Sequence, residues 1–250
     1  MKRWLLPALV LAGLLGAWQV AASTGAIADA LHLEPFLVPS PSEIAESLWQ
    51  NRSLLAENAW VTLKEVLLGL GCAIVAGLLF AVVLHFFETM RRAFYPLVVA
   101  SQTVPIIVIA PILVVWFGFG IGPKLAVVAL ICFFPITVNT LDGLRSVDPD
   151  ATKMMRTLDA SRWQTFRRVE APTALPYVFS GTKIAVAVAL IGAVFGELVN
   201  PESGLGYLIF HDSYQYETAR QFASVFVLSA MAVSLFGLLA LAERRLVTWR

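Results

Sequence analysis

Residues 148–176 read DPDATKMMRTLDASRWQTFRRVEAPTALP, a charged segment between two apolar stretches at about 123–141 and 175–198. The chain contains 18 basic and 17 acidic residues, and eleven of these lie between Asp142 and Glu170. Charged residues make up only 14% of the whole chain, so this segment carries a disproportionate share. We therefore interpret residues 142–174 as a structured loop at a membrane surface.

The first half of this loop predicts a short helix. Asp148 followed by Pro149 is typical of an N-cap and a first helical position. Apolar residues then recur at i, i+3, i+4 and i+7, which places them on one stripe of the helix: Ala151, Met154, Met155 and Leu158.

The second half predicts another short helix that begins immediately afterwards. Ser161 and Gln164 have the spacing of a capping box, and Trp163, Phe166 and Val169 form a second apolar edge. We expect a corner at Leu158-Asp159-Ala160 between the two helices. Pro172 is expected to end the second helix, and Leu175-Pro176 to begin the next membrane span.

The composition of the chain indicates a polytopic membrane protein. Hydrophobic residues make up 58% of the sequence, against about 45–50% in soluble domains. A membrane helix needs about 20 mostly apolar residues, and six stretches meet this requirement: 4–22, 59–84, 94–116, 123–141, 175–198 and 221–242. The predicted fold class is all-α, with six transmembrane helices and one structured loop.

The distribution of basic residues predicts that both termini are cytoplasmic. In that orientation, 13 of the 18 basic residues lie inside: Lys2, Arg3, Arg91, Arg92, Arg145, Lys153, Arg156, Arg162, Arg167, Arg168, Arg244, Arg245 and Arg250. The first span has an alternative interpretation as a cleaved signal peptide, because Ala21-Ala22-Ser23 follows its apolar stretch. The other five spans keep their orientation in either case. The net charge of +1 does not suggest a nucleic-acid partner.

Small residues recur every four positions in two of the spans, which permits close approach of another helix. The second span carries Gly69, Ala73, Gly77 and Ala81, and the fifth carries Gly181, Ala185, Ala189 and Ala193. Packing within the chain and dimerisation explain these ridges equally well. On the outer side, Pro39-Ser40-Pro41 predicts the start of a short interfacial helix that continues through Trp49.

Residues 150–176 resemble the EAA loop of bacterial ABC importer permeases. The positions that match are Ala151, Leu158, Ala160, Ser161, Phe166, Val169, Pro172, Leu175 and Pro176. The sequence departs from the family pattern at Asp150-Ala151-Thr152, where the family has Glu-Ala-Ala, and at Asp159, where the family has glycine. Asp is one of the few other residues that tolerate the positive φ of such a corner.

This resemblance implies a type I ABC importer permease that works with partner subunits. Its loop would form coupling helices that dock on a separate ABC ATPase subunit, with these contact residues: Asp150, Ala151, Met154, Met155, Leu158, Asp159, Ala160, Ser161, Trp163 and Phe166. The chain lacks a phosphate-binding loop, so ATP and Mg²⁺ would bind to the partner, and the chain itself would have no cofactor, metal site or catalytic residue. An extracytoplasmic substrate-binding protein, a permease homodimer and the bacterial inner membrane complete the expected assembly.

The resemblance extends over about residues 55–245, and we divide the chain into residues 1–57 and a permease domain, 58–250, that includes the coupling loop. The segment Gly204-Leu205-Gly206-Tyr207 predicts a tight turn. By resemblance this turn lies where the binding protein would dock, although a plain connector is an equal alternative.

Polar residues inside the spans are candidates for the translocation path, because they are costly in lipid. These residues are Gln102, Thr103, Asn139, Lys183 and Glu197. Interhelical hydrogen bonds that merely hold the bundle are an alternative for each of them. Lys183 and Glu197 are 14 residues apart, about 21 Å along a helix, so we expect each to have a separate partner. Pro105 and Pro111 are expected to disturb the third span.

The substrate is expected to be a vitamin or vitamin precursor. Within the family, Gln102–Pro111 and Trp116–Gly120 resemble the nitrate, sulfonate and taurine branch, and Lys124–Pro149 resembles its thiamine-pyrimidine and riboflavin members. The polar residues of the path include no arginine cluster for a dense oxyanion, which favours a neutral or weakly charged heteroaromatic solute. Import of nitrate, sulfonate or taurine remains the alternative.

Two other classes of function are less consistent with the sequence. A membrane-embedded hydrolase would need a base near Ser180 or Ser229, and neither has an intramembrane histidine. An ion-coupled secondary transporter would show inverted repeats or paired broken helices, and it remains the alternative class.

Overall fold

The computed structural model describes residues 2–248, except for the side chains of residues 2–5 and 8. Within this range the chain forms twelve α-helices and no strand. Their bounds are α1 Lys2–Ser23, α2 Ala26–Leu31, α3 Pro41–Gln50, α4 Arg52–Phe86, α5 Glu88–Ser101, α6 Ile106–Phe117, α7 Ile121–Arg145, α8 Pro149–Thr157, α9 Arg162–Thr165, α10 Ala171–Val199, α11 Leu205–Gln215 and α12 Thr218–Leu246. A 3₁₀ turn at Pro35–Leu37 precedes α3. The predicted all-α class is confirmed.

Four helices of the described chain are long and apolar enough to cross a membrane. They are α4, α7, α12 and a continuous helix from Arg162 to Val199. The pair α5 and α6 adds a fifth span if it is counted as one. The predicted first span corresponds to α1, in which Leu9–Ser23 forms a shorter apolar helix. Lys2, Arg3 and Arg250, which contribute to the predicted orientation, lie outside the described side chains.

The third predicted span is not a single helix. α5 ends at Ser101, α6 begins at Ile106, and the two are bent by 103°. Pro105 is the N-cap of α6, and a proline has no backbone N–H to continue a helix. Pro111 lies inside α6 without ending it, so only one of the two prolines breaks the span.

The prediction that Pro172 ends the loop helix and that Pro176 begins the next span is wrong. α9 passes through a π-helical turn at Phe166–Glu170 directly into α10, and both prolines lie in the resulting 38-residue helix. A proline ring normally clashes with the carbonyl four residues earlier, which for Pro172 belongs to Arg168. Because Arg168 lies in the wider π turn, the helix accommodates Pro172 without ending.

The chain forms two compact units. The first consists of residues up to Val61 together with Ser203–Ser229, and the second of Thr62–Glu202 with residues from Ala230 onward. The division of the chain between residues 57 and 58 stays a prediction about domain organisation.

In the second unit, α7 packs between the two ridges of small residues. A Cβ atom added to Gly69 of α4 would lie 2.6 Å from Cβ of Val128, and one added to Gly181 of α10 would lie 2.6 Å from the carbonyl oxygen of Pro135. Both ridges therefore face α7 of the same chain. This intrachain packing accounts for both repeats.

In the first unit, α3 begins with a capping box between Ser40 and Glu43, and it confirms the predicted short helix. The prediction of a tight turn at residues 204–207 is only partly right. Gly204 has φ +119° and caps α11, so Leu205–Tyr207 are already helical. The backbone N–H of Gly204 donates to Oδ1 of Asn58 at 2.8 Å, which holds this helix start against α4.

Candidate functional site

The corner between α8 and α9 is built by local hydrogen bonds. Asp148 caps α8 by accepting from the backbone N–H of Asp150 at 2.8 Å, as the sequence predicted. At the other end, Ala160 N–H donates to the Met155 carbonyl and Asp159 N–H to the Arg156 carbonyl, at 3.0 and 3.1 Å. These two bonds form a Schellman motif, whose penultimate position requires positive φ. Asp159 occupies that position with φ +54°, which confirms the expected bend.

Arg162 and two aromatic side chains hold α9 against the end of α4. The Arg162 guanidinium donates to the backbone carbonyl of Phe86 at 2.7 Å and lies 4.8 Å above the Phe86 ring. Phe166 packs on the same ring with a centroid distance of 5.1 Å, and Trp163 stacks on Phe166 at 5.2 Å. Because Arg162 also satisfies a carbonyl at the C-terminal end of α4, it fixes α9 to a membrane helix.

A hydrogen bond connects the same end of α4 to the π turn. Nε2 of His85 lies 2.8 Å from a carboxylate oxygen of Glu170, and both side chains are mostly buried. Together with the Arg162 contacts, this hydrogen bond attaches the loop to the end of α4, and the π turn continues it into α10.

The anchored loop leaves large apolar side chains uncovered. Met154, Leu158 and Trp163 are 57%, 68% and 60% exposed. Met155 and Phe166, by contrast, are buried, and Phe166 belongs to a core cluster with Leu144 and Ala174. The predicted apolar stripes are thus divided between an inner part that packs on the chain and an outer part that does not.

The remaining residues expected to contact the ATPase lie around this exposed part. Asp150 is exposed and pairs with Lys153 at 2.8 Å. Ser161 forms the predicted capping box with Gln164 at the start of α9. Ala151 and Ala160 are half-buried.

The break between α5 and α6 opens on a cavity of 330 Å³. Ser101 and Gln102 are the polar residues of its lining, and the remainder is apolar: Val104, Pro105, Ile106, Ile109, Leu130, Ile131 and Val188. Thr103 lies in the same break and donates its hydroxyl to the carbonyl of Ala100 at 2.8 Å. Among the described residues, the side-chain amide of Gln102 forms no hydrogen bond, and Gln102 lines the cavity.

Asn139 and Lys183 lie elsewhere in the second unit. Asn139 donates to the carbonyl of Pro135 at 2.7 Å and adjoins Gly181, so it packs at the contact of α7 with α10. Lys183 forms an ion pair with Glu243 of α12. The expectation that Lys183 and Glu197 have separate partners is confirmed.

Glu197 belongs to a buried polar cluster that joins α4, α7 and α10. It is fully buried and accepts a hydrogen bond from the Thr62 hydroxyl at 2.6 Å. Its carboxyl group also contacts Glu65. Nζ of Lys124 lies 3.1 Å from Oε1 of Glu65, and the two side chains are 2% and 3% exposed. Oε2 of Glu65 has no hydrogen-bond partner among the described residues.

Sequence reasoning did not single out Glu65 or Lys124 for the translocation path, although each is a charged residue inside a predicted span, which is itself a functional signal. The five predicted path residues are not brought together. Gln102 and Thr103 lie at the break, while Asn139, Lys183 and Glu197 occupy three separate contacts. Among residues 2–248, no group of His, Cys, Asp or Glu side chains has the arrangement of a metal site.

The model of the family described as binding-protein-dependent transport system inner membrane component matches residues 73–248. The formylaminopyrimidine transport permease protein ThiX of Halalkalibacterium halodurans is 39% identical over 218 residues, which are 87% of each chain. The riboflavin transport system permease protein RibX of Chloroflexus aurantiacus is 36% identical over 86% of this chain and 81% of its own length. The taurine transport system permease protein TauC of Escherichia coli is 28% identical over 96% of this chain and 87% of its own.

Solved structures show the same fold at lower identity. A chain of the MetNI methionine ABC transporter in an inward-facing conformation superposes with a TM-score of 0.66 at 20% identity. The superposition covers 80% of this chain and 97% of the MetNI chain. This likeness supports the expected type I importer permease fold.

Proposed function

The chain belongs to the family of binding-protein-dependent transport system inner membrane components, and from this premise we propose that it is the permease subunit of an ATP-driven importer whose energy enters through α8 and α9. The exposed apolar face of Met154, Leu158 and Trp163 carries this proposal. These side chains extend from a corner that is held by hydrogen bonds and aromatic contacts, so a force applied to them reaches α4 and α10.

The partner at this face is a separate ABC ATPase subunit, which binds and hydrolyses ATP with Mg²⁺. Methionine and aromatic side chains suit a docking surface that must follow a moving partner. Closure of the ATPase would displace α8 and α9 as a rigid body and switch the spans between outward- and inward-facing states. We expect Leu158 and Trp163 to lie at the centre of the contact, because large apolar side chains contribute most to binding where the partner excludes water.

The assembly in this proposal lies in the bacterial inner membrane with both termini in the cytoplasm. The concentration of basic residues on α8 to the π turn supports this orientation. One chain provides half of a pathway, and a second copy of the chain completes it. An extracytoplasmic binding protein delivers the solute.

The proposed substrate is a vitamin or vitamin precursor with a neutral heteroaromatic ring. The cavity at the α5–α6 break has apolar walls, one amide and one hydroxyl, and no charged residue in its lining. An apolar cavity with few polar groups suits a flat neutral solute better than a sulfonate or nitrate. The higher identity to ThiX and RibX than to TauC points in the same direction. Import of nitrate, sulfonate or taurine is the alternative.

Uptake measurements in vesicles test the mechanism. Proteoliposomes that contain the permease, its ATPase and its binding protein are expected to accumulate solute only when ATP is present on the ATPase side. Collapse of the ion gradients with ionophores should leave this uptake unchanged. Uptake that requires an ion gradient and not ATP would identify an ion-coupled secondary transporter instead.

Docking is tested by Leu158→Asp, because a carboxylate at a 68% exposed apolar position would be buried by the partner. The control is Thr157→Asp, which introduces the same charge at the last residue of α8, outside the apolar face. We expect Leu158→Asp to lose co-purification of the ATPase while membrane insertion is unchanged. Equal retention of the ATPase by both variants would refute the docking face.

A further inference from the structure

A second feature of the coupling loop is a polar cavity beside the apolar face. The cavity has a volume of 400 Å³ and lies between α8, α9, the end of α4 and the π turn. Its polar lining consists of His85, Thr152, Arg156, Arg162, Thr165 and Glu170. It is therefore chemically distinct from the exposed surface of Met154, Leu158 and Trp163, although the same two short helices build both.

The charges in the cavity are unbalanced. The carboxylate of Glu170 is already hydrogen-bonded to His85 at 2.8 Å. Arg162 uses one nitrogen to donate to the carbonyl of Phe86. Its other N–H groups can therefore donate to a ligand in the cavity. Within residues 2–248, the Arg156 guanidinium has neither an ion pair nor a hydrogen bond. Two guanidinium groups, one from each helix, thus face a cavity whose only carboxylate is occupied.

We propose that this cavity receives an acidic side chain of the ATPase subunit; the inference rests on the proposed function, since it requires docking at α8 and α9. A carboxylate accepts paired N–H bonds from arginine with good geometry, and Arg156 and Arg162 are both exposed enough to be reached from outside. The hydroxyl groups of Thr152 and Thr165 lie in the same lining, but they already donate to the carbonyls of Pro149 and Ser161 at 2.8 and 3.2 Å, so the two arginines supply the donors for the carboxylate.

A carboxylate held in this position would bind to both sides of the corner at Asp159. Arg156 belongs to α8 and Arg162 to α9, and Arg162 is in turn fixed to the end of α4. The acidic residue would therefore lock the angle between the two helices and connect the partner to α4. The apolar face contributes affinity, and the cavity determines the register in which the ATPase binds.

The test compares charge reversals in the assembled permease–ATPase complex. Arg156→Glu is expected to weaken binding of the ATPase by about tenfold or more, because a like charge replaces the expected ion-pair partner. Lys153→Glu makes the same charge change on α8 outside the cavity and is expected to weaken binding less than about threefold. Binding is measured by titrating labelled ATPase onto the detergent-solubilised permease at two salt concentrations.

A rescue experiment identifies the occupant. Each Asp and Glu on the permease-facing surface of the ATPase is replaced by Lys, and one of these variants is expected to restore binding to Arg156→Glu but not to Lys153→Glu. The proposal is overturned if Arg156→Glu and Lys153→Glu weaken binding equally, or if no reversal rescues. Saturable binding of inorganic phosphate to the permease alone, lost in Arg156→Glu, would also overturn it by identifying a small-anion site.

Failure of the cavity proposal can be distinguished from failure of the proposed function. If Leu158→Asp abolishes docking while Arg156→Glu does not, the cavity is refuted and the docking face stands. If neither substitution weakens the complex, the location of docking itself is wrong.

Discussion

Removal of the Lys124 ammonium group from the buried cluster is expected to destabilise the protein strongly. Nζ of Lys124 lies 3.1 Å from Oε1 of Glu65, with side chains 2% and 3% exposed. Coulomb's law at an effective dielectric of about 20 gives roughly 5 kcal/mol at this distance. Loss of one partner of a buried pair costs about 3–5 kcal/mol. For a chain of this size, Lys124→Met should lower the unfolding midpoint by roughly 6–20 °C.

The buried thiol of Cys132 provides an assay for this unfolding. Cys132 is buried in α7, whereas Cys72 is exposed. In a Cys72→Ser background, a thiol-reactive dye should label Cys132 only when the helices separate. The midpoint of dye labelling during heating of the protein in detergent then reports the stability of the second unit, because Cys132 contacts the carbonyl of Ala185 across the α7–α10 interface.

A double-mutant cycle decides whether Lys124 acts through Glu65. The double variant Lys124→Met/Glu65→Gln removes both charges and should recover a substantial part of the loss, with a coupling energy of about 1.5–3 kcal/mol. Lys153→Met, which removes an exposed lysine that pairs within α8, should change stability by less than about 1 kcal/mol. A midpoint for Lys124→Met like that of Lys153→Met, or strictly additive losses, would refute this account.

Three further outcomes follow from the geometry. Gly181→Ala should destabilise the chain by about 1–3 kcal/mol, because the added Cβ would meet the Pro135 carbonyl. Gly71→Ala is the control and should not destabilise the chain, because the space around Gly71 is open. The thiol-labelling midpoint measures both effects. Asp159→Val should be about 1–2 kcal/mol less stable than Asp159→Gly at this positive φ, as read by the same midpoint. Gln102→Leu should reduce ATP-driven uptake by up to about tenfold at an unchanged protein level in vesicles, and unaltered uptake would remove Gln102 from the path.

Much of the candidate coupling site was predictable, because its helix caps and its bend are formed by residues that lie close together along the chain. The Asp148 cap, the Ser161–Gln164 capping box and the bend at Asp159 all depend on residues within five positions of one another. The division of the apolar stripe was not predictable, since Met155 is buried by the chain and Met154 is not, although the two are adjacent and chemically identical.

The buried cluster illustrates the opposite case. Glu65, Lys124 and Glu197 are visible in the sequence as charged residues within apolar stretches, but their pairing depends on the relative register of three helices. Lys124 is 59 positions from Glu65, and no periodicity within one helix specifies which residue of another helix lies opposite. The same limit applies to the partner of Lys183, which is Glu243 of α12.

Local sequence is sufficient to specify the membrane class, the helical content, the structured loop with its two capped helices, and the two ridges of small residues. Each of these follows from hydropathy or from contacts within one or two helical turns. Other features come from the folded arrangement of the helices. Both ridges pack on α7, and Arg156 and Arg162 face one cavity. The third span is bent by 103° at the break that Pro105 caps, whereas the helix continues through Pro172 after a π turn. These features depend on distances between atoms far apart along the chain, which helix packing sets and local sequence does not encode.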